Sequence, residues 1–295
     1  MPKKNSRRID KVLIVYKKSS YQSKALDKKD PNYLRLLKER DPAILTSKSS
    51  HETHMDTIET VKNYLRTLKI PFDIRLRYKL SPLRGYDLIL TIGGDGTFLE
   101  TSHYLEEGIL LGINSVPNDS VGYFCKSTAS TFLDKIYAYL SGTGRLQTLH
   151  RLEVTIDGKF IYPYALNDIL FVNQNPGGTT RYILKVGPKE EFQKSSGIWI
   201  SPAAGSTAAT KSAGGKILPI GSSHFQYVIR EPYEPRGRPA IYMKKGVLNA
   251  EEHLEIYSMM DDAMIFVDGP HRARKIRRGA KIIIRNARKP LTAIW

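Results

Sequence analysis

Apolar residues along this chain follow two rhythms, and the change falls near the middle. In the first half, short apolar runs alternate with stretches whose apolar residues recur every three or four positions. Residues 11–16, 88–92 and 110–113 read as buried strands, and 72–77 alternates like a strand. Helical spacing predicts helices over 33–40, 53–68, 97–105 and 128–140. In the second of these, Ile58, Val61, Tyr64, Leu65 and Leu68 share one stripe. Asp41-Pro42, Pro71 and the Ser141 to Gly144 segment punctuate the helix ends, and 17–30 is polar without a clear period. Strands alternating with helices predict a parallel α/β sheet. After about residue 145, short strands follow one another at 152–156, 159–162, 165–172, 181–186, 198–200, 225–229, 254–257, 264–267 and 281–284. Turn signals at Asp157-Gly158 and Asp268-Gly269 separate some of them, and the one good helix opening lies near Ser206-Thr207. The expected fold is therefore an α/β N-terminal domain with a parallel sheet over 1–145 and a β-rich, antiparallel C-terminal domain over 146–295.

One strand runs directly into glycines. After 88–92 come Gly93, Gly94, Asp95, Gly96 and Thr97, and then a helical segment. A buried strand that ends in glycines offers bare backbone N–H groups to a phosphate, and a helix N-terminus behind it adds positive dipole. Asp95 sits in the middle of that cradle. A carboxylate beside a phosphate site is costly unless it orients a hydroxyl, accepts its proton or holds a metal. The plainer alternative is a glycine-rich turn with Asp95 as a helix cap.

Three other places concentrate polar chemistry. Asn167 and Asp168 interrupt an apolar strand, where neighbours point to opposite faces; a break or bulge that presents both to a cleft would resolve this. Such a pair can hold ribose hydroxyls or an adenine edge; an ordinary strand-end turn is the alternative. From Ser201 to Gly215 small residues dominate, with Ser206, Thr207 and Ser212 supplying hydroxyls near a helix start. They admit either a ligand or a closely packed neighbouring element. The basic run His271 to Arg278 reads as a solvated turn, with phosphate contact as the second option. His51 and His54, three apart, read as exposed helix residues because no carboxylate pattern makes them a zinc site. Neither a P-loop nor a Gly-x-Gly-x-x-Gly fingerprint is present, and Ser206 is not in a Gly-x-Ser-x-Gly elbow.

Composition narrows the field further. The chain has 295 residues, 41% hydrophobic and 25% charged, and no apolar run long enough to span a bilayer. Its basic first eight residues read as a tail rather than a signal, and a cytoplasmic location is expected. The single Cys125 excludes an intramolecular disulfide. With 46 Lys+Arg against 29 Asp+Glu the net charge is +17, which attracts polyanions, whether nucleic acid or phosphorylated small molecules. The 17 tyrosines are scattered rather than interleaved with a basic groove, which ranks nucleic acid last.

Taken together, the motif at 93–97, Gly112-Ile113-Asn114, the Asn167-Asp168 pair and the segment Gly205 to Ser212 resemble, in order and spacing, the signatures of the NAD kinase family. The resemblance implies an α/β domain and a β-rich domain with the active site between them. It implies transfer of the ATP γ-phosphoryl group to the 2′-hydroxyl of the adenosine ribose of NAD or NADH, with Mg²⁺ or another divalent ion. Carried onto this chain, Asp95 is the catalytic residue, and Gly93, Gly94, Gly96 and Thr97 bind ATP phosphates. Asp95, Gly96, Asn167, Asp168, Ser196, Thr207, Ala208 and Ser212 bind the dinucleotide, and Arg181 and Lys194 are candidate phosphate contacts. No metal ligand is assigned. Where many bacterial members carry an Asp, a Thr-Pro-Thr and then a Tyr, this chain has Ser196, Pro202-Ala203-Ala204 and Ala209. Glu100 stands where others often have His or Arg. The Ala-Gly-Ser-Thr-Ala-Ala string and the Asn-Asp pair look more like the plant NADH-kinase branch. The family implies a homodimer or homotetramer and no membrane or nucleic-acid partner. The first motif is shared with lipid and sphingoid kinases, which makes such a kinase the alternative enzyme, and a non-enzymatic nucleic-acid binder the alternative outside enzymes.

Overall fold

The computed structural model describes residues 7–234 and 241–295. The chain divides into two compact units, 1–147 with 292–295, and 148–291.

In the first unit, β1 (Val12–Tyr16), β2 (Phe72–Leu76), β3 (Leu88–Gly93), β4 (Ile109–Asn114) and β5 (Leu146–Leu149) belong to one sheet. Strands β1, β2, β3 and β4 pair in parallel, with β1 between β2 and β3. The helices are α1 (Pro31–Lys38), α2 (Ser47–Thr67), α3 (Asp95–Ser102) and α4 (Phe132–Leu140). Strand β3 is buried along its whole length, Thr91 included, as its largely apolar run requires of a central parallel strand. Ile58, Val61 and Leu65 of α2 are buried against a core shared with Val12, Ile14, Leu90 and Ile136. Burying each such side chain stabilises the unit by roughly 1.5–3 kcal/mol.

Local chemistry sets several boundaries. Helix α1 opens with the Asp30 carboxylate accepting the Tyr33 N–H at 2.8 Å, and Pro31 occupies the first turn, where its missing N–H is not needed. The expected second helix starts earlier than its apolar stripe, at Ser47, because a formed helix extends through polar residues at little cost. The polar stretch without a period contains a π-helical turn, Gln22–Asp27.

The second unit is built from two antiparallel six-stranded sheets. Its strands are β6 (Leu152–Ile156), β7 (Lys159–Ala165), β8 (Ile169–Asn173), β9 (Thr180–Val186), β10 (Lys189–Ser195), β11 (Ile198–Pro202), β12 (Phe225–Ile229), β13 (Lys245–Leu248), β14 (His253–Ser258), β15 (Ala263–Val267), β16 (Ala273–Ile276) and β17 (Lys281–Asn286). One sheet has the order β10-β9-β14-β17-β6-β7 and the other β13-β12-β11-β8-β15-β16. Their apolar faces meet in one core, where Phe171 of β8 and Tyr182 of β9 pack edge to face at 5.5 Å.

One expectation is met only in a short form here, and a second fails. The helix near Ser206-Thr207 shrinks to a 3₁₀ turn, Ala203–Gly205, and four residues, α5 (Ala209–Ser212). A run of Gly, Ala and Ser carries no apolar stripe to bury, so nothing extends it. The basic run at 271–278 contains an edge strand, β16, rather than only a turn. Its charges lie outward, and Lys275, Arg277 and Arg278 meet Asp262, Asp157 and Asp261. Charged side chains on an edge discourage further strand pairing.

The last strand, β18 (Leu291–Ile294), returns to the first sheet, where it pairs in parallel with β4 and stands next to β5 in the order β2-β1-β3-β4-β18-β5. Ile294 is 1% exposed and belongs to the first unit's core. Ile294→Ala should cost about 2–5 kcal/mol of that unit's stability. Urea unfolding followed by Trp295 fluorescence in a Trp199→Phe background measures it, since the chain has only these 2 tryptophans.

Candidate functional site

In the first unit, β3 ends at Gly93 and α3 begins at Asp95, so one residue makes the turn. A side chain at Gly93 would start 2.4 Å from Thr97 Oγ1, so only glycine lets the first turn of α3 close this tightly on the strand end. The Thr97 N–H closes this turn by donating to the Gly94 carbonyl at 2.9 Å, and the first N–H groups of a helix, which lack intrahelical acceptors, suit an anion. The Asp95 carboxylate accepts the Tyr123 N–H at 2.8 Å on one oxygen and the Phe124 N–H at 2.7 Å on the other. Stacking of Phe98 on Phe124, 5.3 Å apart, packs the same loop against α3. Each carboxylate oxygen keeps acceptor capacity beyond these bonds. Asp95 is thus fixed in orientation by the backbone of residues 123 and 124, a contact that no local pattern reveals. Glu100, further along α3, lies 3.7 Å from His103 Nδ1.

His54 corrects the expectation of an exposed helix residue: it is 1% exposed. Its Nε2–H donates to the Lys17 carbonyl at 2.8 Å, and its Nδ1 meets Ser115 Oγ at 2.7 Å. Burial lowers its pKa, so the neutral ring ties the end of β1 to the residue after β4. The signal was present, since His54 continues the Ile58, Val61, Leu65 stripe backwards by one turn. Cys125 is also buried, and burial pushes its thiol up to about 12, so it stays protonated.

In the second unit, the expected strand over 165–172 is broken between Ala165 and Ile169. Asn167 and Asp168 lie in that break. The N–H groups of Leu166, Asn167 and Asp168 all donate to the Asp268 carboxylate, at 2.9, 2.7 and 3.0 Å. The Asp268 N–H returns a bond to the Asp168 carbonyl at 2.9 Å. Asp268, legible in the sequence only as a turn residue, holds the shape of the Asn-Asp break. Gly205 backs directly onto it: a Cβ there would lie 1.6 Å from the Asn167 carbonyl oxygen. The two motifs, far apart in sequence, are therefore one structural piece.

Asp168 is 7% exposed and lines a cavity of about 370 Å³ with Leu170, Trp199, Arg230 and Phe266. Burial, with the Asp268 charge second, pushes its carboxyl up to about 7. Arg230 stands over the Trp199 ring at 5.9 Å, and Ser196 donates its N–H to the Arg230 carbonyl at 2.9 Å, beside this cavity.

The remaining expected residues separate. Thr207 and Ala208 are half-buried at the start of α5, and Ser212 is exposed. Ser206 is buried, with its hydroxyl donating to the Ala203 carbonyl at 2.7 Å and accepting the Leu218 N–H at 3.0 Å, so it supplies no hydroxyl to a ligand. Arg181 and Lys194 face each other across β9 and β10, with the Lys194 ammonium 4.3 Å from the Tyr233 ring centre. Among the described residues, no hydrogen bond or ion pair joins either to Asn167 or Asp168. Likewise, no group of three or more His, Cys, Asp or Glu among them could hold a metal ion, and no helix is long and apolar enough to cross a membrane.

No family model matches the chain. A probable NADH kinase from Oryza sativa subsp. japonica is 32% identical over 251 residues, covering 77% of this chain and 76% of the relative. The chain belongs to the NAD kinase family. Its fold is also that of two solved kinases. An NAD kinase from Archaeoglobus fulgidus, solved in complex with ATP, has a TM-score of 0.70 at 18% identity, covering 97% of this chain and 93% of its own. The yeast NADH kinase, solved with NADH, has a TM-score of 0.71 at 17% identity, covering 98% and 86%.

The buried carboxyl at 168 makes stability depend on pH. In the unfolded chain Asp168 ionises near the ordinary carboxylate value; in the fold it stays neutral until about pH 7. The neutral form is favoured by the fold, so the full stability is present below about pH 4 and is lost as pH rises through 7. Asp168→Asn, which stays neutral, should match the parent at pH 4 and exceed it by about 4 kcal/mol at pH 9. Urea unfolding at the two pH values measures the difference.

Proposed function

We propose that this member of the NAD kinase family transfers the γ-phosphoryl group of ATP to the 2′-hydroxyl of the adenosine ribose of NAD or NADH. The observation that carries the reading is Asp95, a carboxylate set in the glycine turn and held by two backbone N–H groups. Two backbone bonds fix its orientation, and a positioned base at the reacting hydroxyl contributes about 10²–10⁴-fold.

In the proposed reaction, the 2′-oxygen bonds to the γ-phosphorus as the bond to the β,γ-bridging oxygen breaks and ADP leaves. Asp95 orients the hydroxyl and takes its proton late, when the attacking oxygen has become acidic. Gly93, Gly94, Gly96 and Thr97 receive the phosphates. Asn167 and Asp168 hold the ribose or adenine of the acceptor, and Ser196, Thr207, Ala208 and Ser212 line its binding region. With its carboxyl titrating near neutrality, Asp168 can donate or accept a hydrogen bond. Arg181 and Lys194, paired across β9 and β10 with Lys194 over the Tyr233 ring, carry the least of this reading.

The donor set fits a divalent ion brought in on the nucleotide rather than one caged by protein, since Mg²⁺ is commonly held by one or two carboxylates together with substrate phosphates. Asp95 is the carboxylate at the glycine turn that would face it. Such an ion supplies charge neutralisation on the phosphates. The similarity to a plant relative named as an NADH kinase supports NADH as the better acceptor. A cytoplasmic location and a homo-oligomeric state complete the reading, the latter decided by light scattering on the purified chain.

Asp95→Asn should lower kcat about 10²–10⁴-fold with both acceptors, while circular dichroism stays close to the parent and thermal melting falls only by the one backbone bond that the amide NH2 cannot accept. Near-parent turnover with an intact fold removes Asp95 from this role. A matrix of ATP and polyphosphate against NAD, NADH and diacylglycerol separates this kinase from a lipid kinase: phosphate should appear on the dinucleotides and none on diacylglycerol.

A further inference from the structure

The parallel register delivers three residues to one edge. Tyr16 of β1 stands beside Leu76 of β2 and Ile92 of β3, so the residues that follow, Lys17, Arg77 and Gly93, leave the carboxyl ends of adjacent strands together. Ligands of open α/β sheets bind at such an edge. Side chains bear this out. Lys17 Cδ lies 3.6 Å from the position a Gly93 Cβ would take, and Arg77 Nη1 lies 3.6 Å from the Cβ position of Gly96. Two cations from two different strands thus flank the glycine turn.

Neither is neutralised. Lys11, Lys18 and Lys62 in the same unit each meet a carboxylate. Among the described residues, Lys17 and Arg77 form no ion pair, and Arg77 donates only to the Tyr78 hydroxyl at 3.1 Å. Lys17 is partly buried, and burial together with the Arg77 charge lowers its pKa. Like charges gathered without a counter-ion are destabilising unless an anion joins them. Thr97 points the same way: it is 1% exposed, and its hydroxyl, which faces Gly93, has no partner. Lys17 is also anchored, because His54 grips its carbonyl from α2.

We propose that Lys17 and Arg77 form a two-sided cationic clamp for an oligophosphate chain at the glycine turn, gripping the β- and γ-phosphates of the donor. The assignment to the donor rests on the kinase reading above; the oligophosphate site itself does not. The clamp acts on phosphate and not on the base, so inorganic tripolyphosphate is a sufficient ligand. Arg77 supplies a planar fork and Lys17 a point charge, which suits two successive phosphates.

The test uses the full chain and four proteins: the parent, Lys17→Met, Arg77→Gln and Lys17→Arg. Calorimetry with inorganic tripolyphosphate, and KM values for ATP and NADH, are measured alongside thermal melts. Charge-assisted hydrogen bonds of this kind predict a tenfold or greater loss of tripolyphosphate affinity and a matching rise in KM for ATP in Lys17→Met and Arg77→Gln. KM for NADH should stay within about twofold, and Lys17→Arg should recover much of the loss. A fourth measurement needs no variant. Tripolyphosphate should protect Lys17 of the parent from reductive methylation about tenfold, while Lys11, paired with Asp73, is unprotected. Unchanged affinity in both charge-removing variants, or an unprotected Lys17, overturns the clamp. A parent that binds tripolyphosphate through these residues but phosphorylates neither NAD nor NADH upholds the clamp and removes the kinase reading instead.

Discussion

The first unit's functional edge depends on β3 ending in a residue with no side chain. Because Gly93 has none, Thr97 Oγ1 comes within 2.4 Å of where a Cβ would stand, and α3 starts after a single turn residue. That closeness puts the first turn of α3, the Asp95 carboxylate and the ends of β1 and β2 in one small volume. A side chain at 93 would collide with the Thr97 side chain from a backbone at φ +157°, which only glycine adopts readily, so this corner could not keep its present packing. The same logic operates in the second unit, where the backbone of Asn167 fills the space beside Gly205. In both places a glycine marks where another segment must touch the main chain, which is a stronger reason for the residue than flexibility.

Three aspartates are used in three different ways. Asp95 accepts two backbone N–H groups and fixes a loop. Asp268 accepts three and fixes the break between β7 and β8. Asp168, beside Asp268 and almost out of solvent, has no such set of donors and is held neutral up to about pH 7. Charge placed near charge without compensating donors must shift its protonation, and shifted groups gather where ligands bind.

The net charge of +17 has a similar division of labour. Much of it is answered locally, as along β16 and its neighbours, where lysine and arginines meet exposed aspartates. Exposed pairs of this kind contribute little to stability. Lys17 and Arg77 are the contrasting case, two cations brought together by sheet register at a turn already rich in N–H donors. A polyanion attracted by the whole field finds its specific contacts there.

Much of this was legible in the residues alone. Unbroken apolar runs and three-to-four spacing placed β1, β3, β4 and the main part of α2, because burial imposes a period on the chain. The glycine turn, Asp95 and the Asn167-Asp168 break were visible as polar chemistry lodged where the pattern called for strand. Other features were not legible, for identifiable reasons. β10 and β16 carry charges on an edge, so no apolar run announces them, and the segment after Ser201 looks helical only because Ala and Ser suit many conformations. β18 is ordinary until its partners are known, since joining β4 is a matter of register and not of composition. The burial of His54, the grip of Asp268 on three N–H groups and the meeting of Lys17 with Arg77 join residues 37 to 102 positions apart or on separate strands. Local pattern determines which segments must be buried. Which distant segments share the space, and therefore which charges lose their solvent and find each other, only the packed chain decides.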